Sequence, residues 1–212
     1  MKIILVGSSI SGMGKTQLCE LLFSNFDDFS ALKVTTVREG DSQQCPRDKP
    51  CGTCRVLPEG WHIEDNPIVL MENGKDTERY IKAGAVKTLW LVATPNEMRE
   101  GIKKALSLLA SEKVVVIEGN APLPHLIEEG LSPLVIFLSA TDRVMKESAG
   151  EVQRCAQIIV PAGEGDYPYQ LSDMQHLFRP FSPGGLQDFL NAVGTWCGVS
   201  LKTGKSGDMR PQ

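Results

Sequence analysis

MKIILVGSSISGMGKT, residues 1–16, decides how the rest of the chain is read. The apolar run Ile3-Ile4-Leu5-Val6 stops at Gly7, small residues lead to Gly14-Lys15-Thr16, and Gln17-Leu18-Cys19-Glu20-Leu21-Leu22 then has the spacing of a helix. Buried strand, glycine-rich loop and helix in that order form the phosphate-binding P-loop arrangement. Backbone N–H groups at a helix N-terminus favour an anion, and glycines let the backbone curl around it. Gly7, Ser9, Gly12, Met13, Gly14, Lys15, Thr16 and Gln17 are therefore the candidate nucleotide ligands. Lys15 is expected to reach the β- and γ-phosphates and act in catalysis, and Thr16 to offer its hydroxyl to Mg²⁺. The strict spacing asks for glycine five residues before Gly14, where Ser9 stands, so the loop either starts on Ser9 or reaches back to Gly7.

With 212 residues, 42% apolar and 23% charged, the chain is long enough and ordinary enough in composition for one globular α/β domain with a buried core. The expected boundaries are a single P-loop NTPase domain over residues 1–202, an insertion at about 39–66, and a polar tail over 203–212 that is expected to be mobile. A net charge of −4 argues against broad nucleic-acid binding, which needs a basic footprint. No apolar run approaches the ~20 residues of a membrane span. The N-terminal apolar stretch is too short for a signal peptide and runs straight into the loop, which leads to an expected cytoplasmic location.

Strands are expected at residues 32–37, 88–93, 114–117, 134–138 and 157–160, with a short edge element at 68–71. Helices are expected after the loop to about residue 25–29, at 76–83, from 95 to about 111, from 142 to about 154, and near 184–196. Such alternation predicts a mostly parallel sheet with helices on both faces, whose ligands bind at the carboxyl ends of the strands. Residues 7–16, 39–41, 118–120 and 139–142 each follow a strand and can share that edge.

Glu118 ends the run Val114-Val115-Val116-Ile117, the position of an acid that holds Mg²⁺ in P-loop proteins; an ordinary strand-end glutamate is the bland alternative. Cys45, Cys51 and Cys54 form a C-x5-C-x2-C cluster suited to zinc or an iron–sulfur cluster. The fourth ligand is either His62 or thiolates of a second subunit, and free thiols in a loop are the competing reading. Asp142, in Ser139-Ala-Thr-Asp142, either accepts hydrogen bonds from guanine or caps a helix without any ligand. Residues 161–163 are a backbone candidate for wrapping the base.

Residues 71–85, Met-Glu-Asn-Gly74-Lys75-Asp76-Thr77-Glu-Arg79-Tyr80-Ile-Lys-Ala83-Gly84-Ala85, resemble the GKD(S/T)xRxxxAGA stretch of the molybdopterin-guanine dinucleotide biosynthesis protein B family. Val116-Ile117-Glu118-Gly119 resembles that family's VEG strand end, and the likeness runs over about residues 1–120. It implies a dimeric, GTP-binding P-loop protein that assists attachment of GMP to molybdenum cofactor. Gly14, Lys15 and Thr16 would then bind phosphates and Mg²⁺, Glu118 would serve as the acid, and Asp76 would face the site as a further catalytic residue. The chain departs from the family where histidines usually follow the second strand: it carries Val37-Arg38-Glu39-Gly40 and then the cysteines.

The first expectation is thus a GTPase or ATPase serving molybdenum-cofactor or other metal-cofactor maturation. It would act as a homodimer on a client enzyme or cofactor-synthesis partner, using Mg²⁺ with GTP or ATP and a cysteine-held zinc or iron–sulfur site. Two alternatives use the same residues. One is a small-molecule kinase with a metal-stapled lid, for which Arg38, Arg47 and Arg55 are available. The other is a non-enzymatic metal-carrying or metal-sensing dimer.

Overall fold

A computed structural model describes residues 1–37, 60–140, 145, 147–161 and 186–202. Seven strands, β1 (Lys2–Ser8), β2 (Phe29–Thr36), β3 (Trp61–Glu64), β4 (Thr88–Ala93), β5 (Val114–Glu118), β6 (Leu134–Ser139) and β7 (Ile158–Pro161), form one sheet in the order β3-β4-β2-β5-β1-β6-β7. Every neighbouring pair is parallel except β3 with β4, which is antiparallel. The helices are α1 (Lys15–Asn25), α2 (Pro67–Leu70), α3 (Asp76–Ala83), α4 (Met98–Leu108), α5 (Pro122–Glu128), α6 (Glu147–Arg154) and α7 (Leu186–Cys197). No helix among the described residues is long and apolar enough to cross a membrane.

The side-chain period of two sorts the strand residues onto two cores. Ile4, Val6, Val114, Val116 and Ile136 pack with Leu18, Phe23, Tyr80 and Phe189, so α1, α3 and α7 cover that face. Ile3, Leu5, Leu91, Val115 and Ile117 pack with Ile102, Leu126 and Val152, so α4, α5 and α6 cover the other. Strands buried on both sides read as unbroken apolar runs, which is why β1, β5 and β6 are visible in the sequence. The ring of Phe26, just past α1, stacks on Phe29 at the start of β2 with 4.4 Å between centroids and fixes how the chain re-enters the sheet.

Several expected elements differ in the structure. Residues 68–71 are not an edge strand. Asn66 caps the short helix α2 by accepting from the Ile68 N–H at 3.0 Å, and Pro67 stands at its first position, where no N–H is needed. The insertion expected over 39–66 rejoins the sheet earlier, because Trp61–Glu64 pairs antiparallel with Trp90–Ala93 as β3. Strand β2 begins at Phe29, three residues before the expected start, since Phe29, Ser30 and Ala31 already pair with Val114, Val115 and Val116. Helix α5 was not expected: prolines 122 and 124 look like breakers, yet both fit a first helical turn. The tail 203–212 lies outside the described residues.

Candidate functional site

The glycine loop connects β1, an interior strand between β5 and β6, to α1. Its two left-handed positions are Gly12, φ 79°, and Gly14, φ 82°, and Gly14 is the residue that caps α1. No side chain caps α1 and its first turn carries no acid, so its N-terminal N–H groups and the positive end of the helix dipole face the loop. Lys15 Nζ folds back to donate to Ser8 Oγ at 2.8 Å, and Ser8 Oγ donates in turn to the Ile10 carbonyl at 2.6 Å. Met13 is buried and anchors the loop in the core beneath α1.

Ser9 departs from the strict motif because its side chain has a structural job. No residue other than glycine takes a positive φ among the described residues, so Ser9 needs no glycine freedom. Its N–H donates to the Leu138 carbonyl at 3.0 Å and its Oγ accepts from the Ala140 N–H at 2.9 Å, tying the loop to the end of β6. Gly7 is a packing position inside β1. A Cβ there would lie 2.6 Å from Val152 Cγ1 and 2.8 Å from Asn120 Oδ1. The Asn120 amide bridges the β1 end, accepting from the Ser8 N–H at 2.9 Å and donating to the Ser8 carbonyl at 2.8 Å.

A second group of side chains converges on Thr16, the second residue of α1. Glu118 continues the parity of Val114 and Val116, so it emerges on the α1 side of the sheet at the carboxyl end of β5. Lys33 lies opposite it in the β2–β5 register and on the same face as Ala31. Asp76 opens α3. Lys33 Nζ lies 2.5 Å from Glu118 Oε1 and 2.6 Å from Asp76 Oδ2, while Thr16 Oγ1 lies 3.1 Å from Asp76 Oδ1 and 3.2 Å from Glu118 Oε2. The buried Tyr80 hydroxyl donates to Glu118 Oε2. Burial by itself would lower the Lys33 pKa, but the Glu118 and Asp76 carboxylates outweigh it and hold the ammonium above its usual value. Asp76 is the converse: burial would raise its carboxyl, and Lys33 with the Thr16 hydrogen bond keeps it below the usual value.

Helix α3 delivers Asp76 from a tightly held base. Lys75 is 3% exposed; its Nζ donates to the Val69 carbonyl at 3.0 Å, pairs with Glu72 at 2.6 Å and sits 5.0 Å from the centre of the Trp90 ring. Thr77 Oγ1 donates to the Leu70 carbonyl at 2.7 Å, and the Glu78 carboxylate accepts from the Gly74 N–H at 2.8 Å. Arg79 pairs with Glu20 of α1 through Nε at 2.8 Å and Nη2 at 2.5 Å, fastening α3 to α1. The GKDT stretch therefore spends its polar side chains on placing one carboxylate.

Loop and carboxylates line one cleft of about 340 Å³, bounded by residues 11–17 together with Lys33, Asp76, Arg79 and Glu118. Of the expected ligands, Gly12, Met13, Gly14, Lys15, Thr16, Gln17, Asp76 and Glu118 line it; Gly7 and Ser9 support it from behind. Gln17 is nearly buried, and its Oε1 has no hydrogen-bond partner. His62 stands in the edge strand β3 with Nε2 3.6 Å from Glu64, and among the described residues no three His, Cys, Asp or Glu side chains gather as metal ligands. Cys45, Cys51, Cys54, Asp142, Ala162, Gly163, Arg38, Arg47 and Arg55 lie outside the described residues. Lys33 and Tyr80 were missed as site residues. The usable sign was Lys33, the one charge in an otherwise uncharged strand, on the same alternation as the acid of β5.

Comparison with protein-family models, with curated proteins and with solved structures finds no match for this chain. The chemistry of the cleft itself therefore carries its interpretation.

Proposed function

We propose that the cleft binds a nucleoside triphosphate with Mg²⁺ and hydrolyses it, making the chain a P-loop nucleoside triphosphatase. One observation carries this reading: the hydroxyl of Thr16, at a helix N-terminus with no side-chain cap behind two left-handed glycines, meets two carboxylates within 3.2 Å. An anion-binding backbone beside an all-oxygen donor set is what a phosphate-bound hard cation requires. Thr16, Asp76 and Glu118 would hold the cation, which would supply charge neutralisation on the transferring phosphoryl group.

The chain's own share is positioning and electrostatics. The N–H groups of the Gly12–Thr16 turn would cradle phosphate oxygens, and Lys15 would leave Ser8 to follow them. In the free protein the Tyr80 hydroxyl and the Lys33 ammonium hold the Glu118 carboxylate in place. The likeness of residues 71–85 to the molybdopterin-guanine dinucleotide biosynthesis protein B family extends the proposal to GTP as the nucleotide and to an accessory role in metal-cofactor maturation, as a dimer.

The test is equilibrium binding of fluorescent GTP and ATP analogues with Mg²⁺, followed by phosphate release. Losing one charge-assisted phosphate contact costs about 1.5–3 kcal/mol, so Lys15→Ala is expected to weaken binding roughly 10- to 150-fold and to abolish hydrolysis. Unchanged affinity and turnover in Lys15→Ala would sink the proposal, and phosphate transfer to a metabolite instead of water would move it to a kinase.

A further inference from the structure

Lys33 is the feature of the cleft that triphosphate binding alone does not account for. Its ammonium is within 2.6 Å of both carboxylates that would hold the cation. Its side chain is 17% exposed and lines the same cleft as the glycine loop. Two carboxylates and one ammonium leave the cluster one negative charge, with the Tyr80 and Thr16 hydroxyls completing it. A divalent cation approaching the free protein meets acids that already share an ammonium at hydrogen-bond distance, so half of their charge is offset, and Mg²⁺ in particular gives up its water reluctantly.

Phosphates change that balance. A triphosphate in the loop brings several negative charges to the cleft wall that Lys33 shares with Lys15. A lysine is a compact charge on a flexible stem, able to exchange one anionic partner for another within the cleft.

We propose that Lys33 is a resident counter-cation: it holds the Asp76–Glu118 pair in the free protein, passes to phosphate oxygens when nucleotide arrives, and so makes cation entry depend on nucleotide. This rests on the reading of the cleft as a triphosphate site. No bond is made or broken in the exchange; one set of ion pairs replaces another. The device keeps the acids from loading with a divalent cation unless the phosphates it serves are present.

The experiment titrates Mn²⁺ into the full chain and reads free Mn²⁺ by electron paramagnetic resonance, with and without a non-hydrolysable imido analogue of GTP. Wild type alone is expected to bind Mn²⁺ weakly, and the analogue to tighten it by about tenfold or more, within the usual range of linked sites. Without any nucleotide, Lys33→Met is expected to bind Mn²⁺ about tenfold tighter than wild type, and Lys33→Arg, which keeps the charge, to bind as weakly as wild type. Should Lys33→Met not fold, Lys33→Gln makes the same comparison. Equal Mn²⁺ affinity of wild type and the uncharged variant, with the analogue bound normally by wild type, overturns the role of Lys33 and leaves the triphosphate reading standing. Failure of wild type to bind the analogue overturns the triphosphate reading, and the coupling with it.

Discussion

Gly7→Ala separates the glycines that shape the loop from the one that packs behind it. The added Cβ would lie 2.6 Å from Val152 Cγ1 and 2.8 Å from Asn120 Oδ1, both well inside ordinary contact. Val152 is β-branched and fully buried in the second core, so it cannot swing clear without moving α6 off β1. Overpacking of this kind costs about 1–3 kcal/mol. Displacing the Asn120 amide also weakens its bridge to Ser8, worth about 1 kcal/mol more. The expected loss is thus about 2–4 kcal/mol, which for a chain of this size lowers Tm by roughly 4–16 °C. Calorimetry and urea unfolding read it directly. Gly12→Ala is the contrast: nothing lies within 4 Å of its Cβ, but φ is 79°. Its expected stability cost is about 1–2 kcal/mol, from the backbone alone, while nucleotide affinity falls because the turn must change. If Gly7→Ala is as stable as wild type to within about 0.5 kcal/mol, the packing account of the β1 end is wrong.

The ion pairs predict a pH dependence. Asp76 is held below its ordinary value of 3.8, so its contribution is complete above that pH and is lost as pH falls through the lower folded value. The stability gap between wild type and Asp76→Asn, from urea midpoints, should be flat near neutral pH and shrink only below 3.8; a gap that grows on acidification contradicts the pairing. Lys33 is held above its ordinary 10.5, so its contribution is complete below that pH and disappears only as pH rises through the higher folded value. Lys15→Ala should bind and turn over triphosphate far less well than wild type, as set out above. The cysteine cluster makes a separate prediction. Anaerobically purified protein should carry stoichiometric zinc or iron that the double variant Cys51→Ser/Cys54→Ser loses, and metal content that is nil in wild type or unchanged in the variant removes that site.

What was legible in the sequence was local. Ile3-Ile4-Leu5-Val6, the glycines at 12 and 14 and the Lys15–Thr16 pair are close neighbours along the chain, and the structure makes them strand β1, the turn after it and the first residues of α1. Glu118 was legible because it ends a run of β-branched residues. Lys33 was not, since its role depends on the register that sets it opposite a residue 85 positions later. Residues 68–71 misled for the opposite reason: Ile68-Val69 favours a strand by propensity, and the Asn66-Pro67 start signal overrode it. Ser9 reads as a flaw in a motif until its hydrogen bond to Ala140 is seen, because a spacing rule for glycine knows nothing of β6.

A crystal structure with the imido analogue of GTP and Mg²⁺ tests the central claim most directly. Phosphates are expected against the N–H groups of residues 12–16, the cation on the Thr16 hydroxyl with Asp76 or Glu118, and Lys33 turned toward phosphate. Nucleotide bound elsewhere, or a cleft that takes up neither nucleotide nor cation at saturating concentrations, would contradict it.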